Sequence, residues 1–179
     1  MQNNISAIFF DFDSKEGWKV LGESFSARWV VHGESFSGGV KLPEGISSTE
    51  ETTFETLRRK AKEMGIEILE CYYVHSNLCL FSVPSRKTRY FYMMKRYFYL
   101  VKRFAGSFPF NEEKKVINGE DEVRIQWYGL EEFETAIYKI PDYKEGYIKA
   151  FLKMAEHNEK FRRDNEALFQ RYSTVKLSE

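Results

Sequence analysis

Residues 71–111 carry seven basic side chains and no acidic one, in a chain whose net charge is zero. The bases are Arg86, Lys87, Arg89, Lys95, Arg96, Lys102 and Arg103. Such a block of positive charge attracts anions, and a nucleotide, another phosphate-bearing ligand or RNA would fit it. The alternative is that these bases flank hydrophobic strands and keep them soluble.

A second charged segment, residues 50–63, mixes four glutamates with two arginines and two lysines. The glutamates are Glu50, Glu51, Glu55 and Glu63, and the arginines are Arg58 and Arg59. Glu55 and Glu63 lie four residues on either side of Arg59, so on a helix the three side chains form an ion-pair ladder.

A helix over Ser48–Met64 is predicted to position this second segment. A serine or threonine among residues 47–49 can cap it, and Glu50 and Glu51 in the first turn suit the helix dipole. Helical spacing gives an inward face of Phe54, Leu57, Ala61 and Met64. Gly65 stands where a helix usually ends.

The rest of the chain alternates strands and helices. Strands are predicted at residues 5–12, 18–31, 66–74, 78–83 and 122–128, and in the second half of the aromatic tract 90–104. The second strand is expected to break near Gly22, and the glycine-rich residues 33–45 are expected to form a loop. A short helix is predicted at 130–138, with Leu130, Phe133 and Ile137 inward, and a long C-terminal helix at 144–172.

Composition limits the class of protein. A chain of 179 residues with 42% apolar content suits one globular domain, which we place over residues 1–179, and excludes disordered and collagen-like classes. Cys71 and Cys79 are too few for a disulfide framework or a four-ligand zinc site. Lys95 and Arg96 interrupt the most hydrophobic tract, so no membrane span is expected. The uncharged first residues disfavour a secretory signal, and we expect a cytoplasmic protein.

The order of strands, glycine-rich loop, glutamate-bounded helix and further strands resembles the Nudix hydrolase family. That family's box reads Gly, five residues, Glu, seven residues, then Arg-Glu-U-x-Glu-Glu-x-Gly-U, where U is aliphatic. Laid on this sequence from its end, the box matches Glu50, Arg58, Glu63, Gly65 and Ile66, and Gly38 and Gly39 resemble its opening glycines. Residues 122–133 resemble the family's late strand and Leu-Glu-Glu helix. The resemblance covers roughly residues 5–155 and implies a Nudix-like α/β/α sandwich with a mixed β-sheet.

The resemblance also implies a chemistry, the hydrolysis of nucleoside diphosphates linked to another moiety on carboxylate-bound Mg²⁺. The catalytic candidates are Glu63, Glu50 and Glu55, and the candidate metal ligands are Glu63 and Glu51. The candidate substrate-binding residues are Arg58, Arg59, Gly38 and Gly39.

Two family carboxylates are replaced here, because their positions fall on Arg59 and Lys62. Cationic side chains repel a dication, so we expect Mg²⁺ to bind weakly or not at all. Two functions stay open: a divergent hydrolase with Glu63 as the surviving metal ligand and Glu50, Glu51 or Glu55 assisting, and a catalytically silent relative. The silent relative would bind a nucleotide, RNA or a protein partner.

Asp11 and Asp13 offer a different enzyme class. The run Phe-Phe-Asp-Phe-Asp-Ser that holds them resembles the nucleophile motif of haloacid-dehalogenase-type phosphatases, although the usual Asp-Gly-Thr continuation is absent. The resemblance implies Asp11 as nucleophile and Asp13 as acid, with an aspartyl-phosphate formed on Mg²⁺. A purely parallel sheet with Asp11 at the C-terminal end of a strand would support it.

The tract from Arg86 to Phe110 interleaves bases with aromatic residues, as do surfaces that stack single-stranded nucleic acid. The alternative is that most of these rings form a core strand, and we favour it.

Overall fold

The computed structural model describes residues 2–31, 34–84, 89–106, 109–110, 112–118, 121–137 and 141–177. The strands of this part are β1 (Gln2–Asp13), β2 (Gly17–Val31), β3 (Glu34–Lys41), β4 (Glu44–Ile46), β5 (Glu67–Pro84), β6 (Arg89–Ala105), β7 (Lys114–Asn118) and β8 (Asp121–Gly129). Its helices are α1 (Thr53–Glu63), α2 (Leu130–Ile137), α3 (Pro141–His157), α4 (Glu159–Asp164) and α5 (Glu166–Ser173). Within these residues no helix is both long and apolar enough to cross a membrane.

The described strands form one mixed sheet in the order β4-β1-β6-β5-β2-β8-β7, with β3 paired to β2 outside this path. β1 and β6 run parallel, whereas the other described pairs are antiparallel. The predicted mixed sheet is therefore confirmed. β1 turns directly into the antiparallel strand β2, with Asp11 opposite Lys19, so the purely parallel sheet that the phosphatase hypothesis requires is not found.

β1 shows how the sheet separates two hydrophobic cores. Ile5, Ala7 and Phe9 are buried on the face that α1 covers, and Ile8 and Phe10 are buried on the face that α2–α5 cover. Successive residues of a strand point to opposite faces, so a strand that is apolar at both sets of positions is central and covered on both sides. The α/β/α sandwich is confirmed.

α1 begins at Thr53, later than predicted, because a capping box fixes its start. The Thr52 hydroxyl accepts a hydrogen bond from the Glu55 backbone N–H at 3.2 Å, and the Glu55 carboxylate accepts one from the Thr52 N–H at 2.7 Å. These two bonds satisfy two backbone donors that a helix N-terminus leaves free. Glu50 and Glu51 therefore precede the helix and do not form its first turn.

The inward face of α1 is only partly the predicted one. Leu57, Ala61 and Met64 are buried as expected, but Phe54 is 44% exposed. Lys60 and Thr56 take part in the inner face instead and are almost completely buried. The apolar stripe is therefore narrower than predicted and contains one charged residue.

The predicted loop over residues 33–45 is wrong, because β3 and β4 occupy most of it. Gly39 pairs with Phe25 of β2, and Gly38 and Gly39 have φ values of 71° and 148°. Glycine adopts such values readily, so the two residues form an irregular part of a strand and not a loop that opens a box.

The long helix predicted over residues 144–172 is divided into three. α3 starts earlier, at Pro141, and Asn158 and Asn165 separate it from α4 and α5. The Asn158 backbone is extended, and its side chain accepts a hydrogen bond from the Phe161 N–H at 3.0 Å. An asparagine that caps a new helix in this way ends the preceding one.

Two predicted interruptions are absent, since β2 runs through Gly22 and β5 is one long strand. A Cβ atom at Gly22 would lie 2.6 Å from the Tyr128 ring, so this glycine allows a close approach and does not break the strand. β7 was not predicted. The short helix after β8 is confirmed, with its inward residues Leu130, Phe133 and Ile137 buried.

Candidate functional site

The candidate site lies where β1 and β2 separate. In the described residues these strands pair with each other only from Phe10–Val20 to Asp13–Gly17. Elsewhere β1 pairs with β4 and β6, and β2 pairs with β3, β5 and β8. The end of β3 and the short β4 fill the opening between them, and α1 packs on β1 and β4. Side chains from strands that are distant in sequence therefore meet in this opening, between Lys60 of α1 on one face of the sheet and Tyr143 of α3 on the other.

Five charged side chains fill this opening, and we call them the buried charge cluster. They are Glu23, Lys41, Glu44, Lys60 and Arg96, and each residue is less than 9% exposed. Charged residues are almost never buried unless they are paired, because the loss of hydration is costly. The cluster holds three cations and two carboxylates.

Glu44 is the carboxylate of the cluster whose two oxygens both accept hydrogen bonds. The Lys41 ammonium donates to it at 2.6 Å, the Tyr143 hydroxyl donates to it at 2.6 Å, and Arg96 Nε lies 3.7 Å away. Burial raises the pKa of Glu44, but the charges of Lys41 and Arg96 and the two hydrogen bonds outweigh burial and lower the pKa to about 2. Glu44 is therefore ionised at neutral pH.

Glu23 is completely buried, and its carboxylate has fewer hydrogen-bond partners than that of Glu44. Lys60 Nζ lies 3.4 Å from its Oε2 and Lys41 Nζ lies 3.7 Å from its Oε1. Neither carboxylate oxygen accepts a hydrogen bond within the part of the chain that the structure describes. Its negative charge is balanced by these two ammonium groups.

Sequence reasoning missed this cluster, although one signal was present. Lys60 lies at helical spacing between Leu57, Ala61 and Met64, so a lysine was visible on the apolar face of a predicted helix. Its partner Glu23 comes from a strand 37 residues away, and no spacing rule connects the two.

On the outer side of α1, the Arg59 side chain forms ion pairs with two of the predicted site residues, Glu51 and Glu63. Its Nε donates to Glu51 Oε1 at 2.8 Å, its Nη2 donates to Glu51 Oε2 at 3.0 Å, and its Nη1 lies 3.4 Å from Glu63 Oε1. Hydrogen bonds from Arg59 are the main reason that the pKa of Glu51 falls to about 2. A third bond, from Nη2 to the Ile46 carbonyl at 3.0 Å, ties this group to β4.

The other two predicted acids lie apart from Arg59. Glu55 is turned back to the N-terminus of α1, where the Thr52 backbone and hydroxyl bind it and lower its pKa. The predicted ladder is therefore only half formed, since Arg59 contacts Glu63 and not Glu55. Glu50 is exposed in the turn before the helix.

A cleft of about 500 Å³ runs along the outer face of α1, and we call it the α1 cleft. It is lined by Glu55, Arg58, Arg59, Lys62, Ile66, Glu67 and Ile68. The predicted Arg58 and Arg59 are thus brought together, whereas Gly38 and Gly39 do not line the cleft. Arg58 also lies 5.8 Å from the centroid of the Phe54 ring. The lining has three cations and two carboxylates, and one of the cations, Arg59, is paired with Glu51 and Glu63 beside the cleft.

The residues at α1 do not fit a divalent metal. Glu51 and Glu63 face a guanidinium, Glu55 binds a backbone N–H, and Glu23 faces two ammonium groups. A hard dication needs several oxygen ligands free of competing cations. In the described part of the chain, no group of three or more His, Cys, Asp or Glu side chains is arranged to hold a metal ion.

The Glu51–Arg59 pair offers a second way to lay the box on the sequence. Gly45, five residues, Glu51, seven residues and Arg59 have the family spacing, one residue later than the alignment on Glu50 and Arg58, whereas Gly65 and Ile66 match only in that earlier alignment. In this register the Glu that follows the Arg in the family box is replaced by Lys60, the buried lysine.

No model of a known protein family matches the chain, and no curated protein matches it. Among solved structures it resembles a mutator MutT protein from Bacillus halodurans, with 14% identity, 82% of this chain and 80% of that chain covered, and a TM-score of 0.51. A MutT/nudix family protein from Enterococcus faecalis is 16% identical, with 98% and 74% covered and a TM-score of 0.48. An Ap4A hydrolase from C. elegans is 12% identical, with 83% and 95% covered and a TM-score of 0.44. At such identities the likeness to the first of these structures shows the fold alone, and the chain has a Nudix-like fold.

Proposed function

We propose that the chain is a Nudix-like domain that binds a phosphate-bearing ligand, such as a nucleotide, in the α1 cleft without a divalent metal and without hydrolysing the ligand. The pairing of the charged side chains at the cleft supports this proposal. Arg59 is paired with Glu51 and Glu63, whereas Arg58 and Lys62 make no ion pair within the described residues. Arg58 and Lys62 are therefore the cations that an anionic ligand would contact in the cleft.

The strength of this binding follows from the exposure of the cleft. Two unit charges at about 4 Å attract each other by about 1 kcal/mol in water and by about 4 kcal/mol near a protein surface. Glu55 and Glu67 also line the cleft and reduce the attraction. We therefore expect modest affinity that falls as salt screens the charges.

Calorimetry with ATP, ADP and AMP at low salt tests the proposal, first in EDTA and then in Mg²⁺. We expect binding in EDTA that Mg²⁺ does not strengthen. The variant Arg58→Gln/Lys62→Gln should bind about tenfold more weakly, which corresponds to about 1.4 kcal/mol. Lys144→Gln/Arg163→Gln is the matched control, because it makes the same charge change on exposed residues of the helices across the sheet.

The competing functions give different results in the same experiment. Release of a phosphate-containing product in Mg²⁺, abolished by Glu63→Gln, would establish the divergent hydrolase with Glu63 as the metal ligand and would contradict the proposal. Absence of binding by every nucleotide would contradict it too and would favour a protein-binding role.

A further inference from the structure

We propose that a second cavity, on the face of the sheet opposite α1, binds a linear ligand with several alkylammonium groups, and that Lys160 competes with this ligand for part of the cavity. A free polyamine and the lysine side chains of a basic peptide share this chemistry. The cavity lies between the turn that joins β1 and β2, the start of α2, α4 and the start of α5. We call it the α2–α4 cavity.

The size and the lining of the α2–α4 cavity suit a flexible organic cation. Its volume is about 610 Å³, and ligand sites usually have volumes of about 300–1,000 Å³. Leu130 and Leu168 line it and offer apolar contact to a methylene chain. The side chains that can bind ammonium groups are two aromatic rings and three carboxylates, from Phe12, Trp18, Glu131, Glu132 and Asp164.

Phe12 and Trp18 form an aromatic pair at the wall of this cavity. They lie opposite each other on β1 and β2, and their ring centroids are 5.3 Å apart. Phe12 is 39% exposed, so its ring is accessible to a ligand. The Trp18 indole N–H donates to Asp164 Oδ2 at 3.0 Å and so fixes a carboxylate beside the rings. Aromatic rings attract organic ammonium ions through their negative faces, and a carboxylate adds a charged hydrogen-bond acceptor.

The ammonium group of Lys160 already occupies this aromatic pair. Its Nζ lies 3.6 Å from the Phe12 ring centroid and 5.6 Å from that of Trp18, and it donates to Asp164 Oδ2 at 2.6 Å. Lys160 thus shows which chemical group the two rings and the carboxylate bind. Its side chain is 51% exposed, so a ligand can displace it without opening the core.

The carboxylates of the cavity outnumber its cations. Against the ammonium of Lys160, the described lining has four carboxylates, those of Glu16, Glu131, Glu132 and Asp164. Lys160 pairs with Asp164, and Lys19 pairs with Glu16. Glu131 and Glu132 are exposed in the first turn of α2 and make no ion pair with any residue that the structure describes. A ligand with several ammonium groups can therefore bind these two glutamates as well as the aromatic pair.

Calorimetry with spermidine and with a trilysine peptide at low salt tests the role of Lys160. We expect Lys160→Ala to bind the probe about tenfold more tightly than the wild type, because the rings and Asp164 are vacated. Arg163→Ala is the matched control, since it removes a positive charge from an exposed residue of α4 that does not line the cavity. The gain should be lost in Lys160→Ala/Phe12→Leu, because leucine is apolar but has no ring.

A second pair of variants tests the two unpaired glutamates. Glu131→Gln/Glu132→Gln should bind both probes about tenfold more weakly than the wild type. Glu50→Gln/Glu156→Gln is the matched control, because it removes two exposed carboxylates that do not line the cavity, and it should keep the wild-type affinity. Thermal unfolding without ligand checks that each variant is folded.

Three results would overturn the inference: binding of neither probe by Lys160→Ala, equal affinities of Lys160→Ala and Arg163→Ala, or displacement of spermidine by an equal concentration of Mg²⁺. The last two would mean that the probes respond to net charge alone. Tighter binding of spermidine than of trilysine, with the expected variant pattern, supports the inference and identifies a free polyamine. The reverse order supports it and identifies a lysine-bearing peptide. No nucleotide enters these measurements, so the α1 cleft proposal stands or fails separately.

Discussion

A Cβ atom on Gly146 would lie 2.3 Å from the ring of Phe98, so α3 approaches β6 as closely as a glycine permits. Phe98 is fully buried and its ring also contacts Tyr143 of the same helix. A close helix–sheet contact of this kind cannot relax without moving packed core groups.

The variant Gly146→Ala should therefore be destabilised, in spite of the better helix propensity of alanine. Inserting one methyl group into a packed core costs about 1–3 kcal/mol, and chemical denaturation measures the loss. Gly129→Ala is the control, because a Cβ atom there meets nothing within 4 Å. Equal stability of the two variants would mean that Phe98 moves aside freely.

Glu44 should make stability depend on pH in the acidic range. Its pKa falls from 4.5 to about 2 in the folded protein, so its contribution is complete above about pH 4.5 and disappears as pH falls to about 2. The shift corresponds to a contribution on the order of 3 kcal/mol.

Glu44→Gln should therefore be less stable than the wild type at pH 7, and the two free energies of unfolding should converge toward pH 2. Urea titrations at several pH values measure both. Glu50→Gln, which changes an exposed residue before α1, should keep the wild-type pH dependence. A constant difference between wild type and Glu44→Gln at all pH values would contradict the assignment.

Removing the charge of Lys60 should be costly even though methionine has a similar volume. Lys60→Met leaves the buried Glu23 with Lys41 as its remaining cation, and the loss of one partner of a buried pair costs about 3 kcal/mol. Lys62→Met, on the exposed face, should change stability by less than about 0.5 kcal/mol. The double variant Glu23→Gln/Lys60→Met should recover part of the loss, since it removes both charges. Additive losses would show that the two residues do not interact.

Local patterns predicted much of the fold. The Ile- and Phe-rich run of β1 predicted a strand, and the spacing of Leu57, Ala61 and Met64 predicted the inner face of α1. The start of α1 was missed because several residues before it can cap a helix. Only the folded structure shows that Thr52 and Glu55 form the two reciprocal hydrogen bonds of a capping box.

Less of the candidate site could be predicted from the sequence. Arg59 was placed in a ladder with its helical neighbours, but it also reaches Glu51, which lies before the helix. The cluster residues Lys41, Lys60 and Arg96 come from three elements far apart in sequence. Their meeting depends on how β1 and β2 separate, and this is a property of the whole sheet.

Of the seven bases of the tract 86–103, the structure describes the side chains of Lys95, Arg96, Lys102 and Arg103. Among its residues with described side chains, Arg96 is buried in the charge cluster, and Lys102 and Arg103 lie 3.5 Å and 3.7 Å from Glu70. Lys95 lies 5.1 Å from the centroid of the Tyr97 ring. Among these four side chains Arg96 is inside the fold, whereas Arg103 is mostly exposed and pairs with Glu70 at the surface.

The salt dependence of nucleic-acid binding should show whether the nucleic acid binds at the basic tract or in the α1 cleft. For single-stranded nucleic acid, each neutralised phosphate contributes about −0.7 to the slope of log K against log salt. Binding of a short oligonucleotide through Arg58 and Lys62 predicts a slope of about −1.4, whereas contact with the six bases of the tract other than the buried Arg96 predicts about −4. Fluorescence anisotropy between low and moderate salt measures this slope. We expect the shallow slope, reduced nearly to zero in Arg58→Gln/Lys62→Gln and kept in Lys144→Gln/Arg163→Gln. A steep slope that survives in Arg58→Gln/Lys62→Gln would place nucleic acid on the basic tract and remove the α1 cleft as its site.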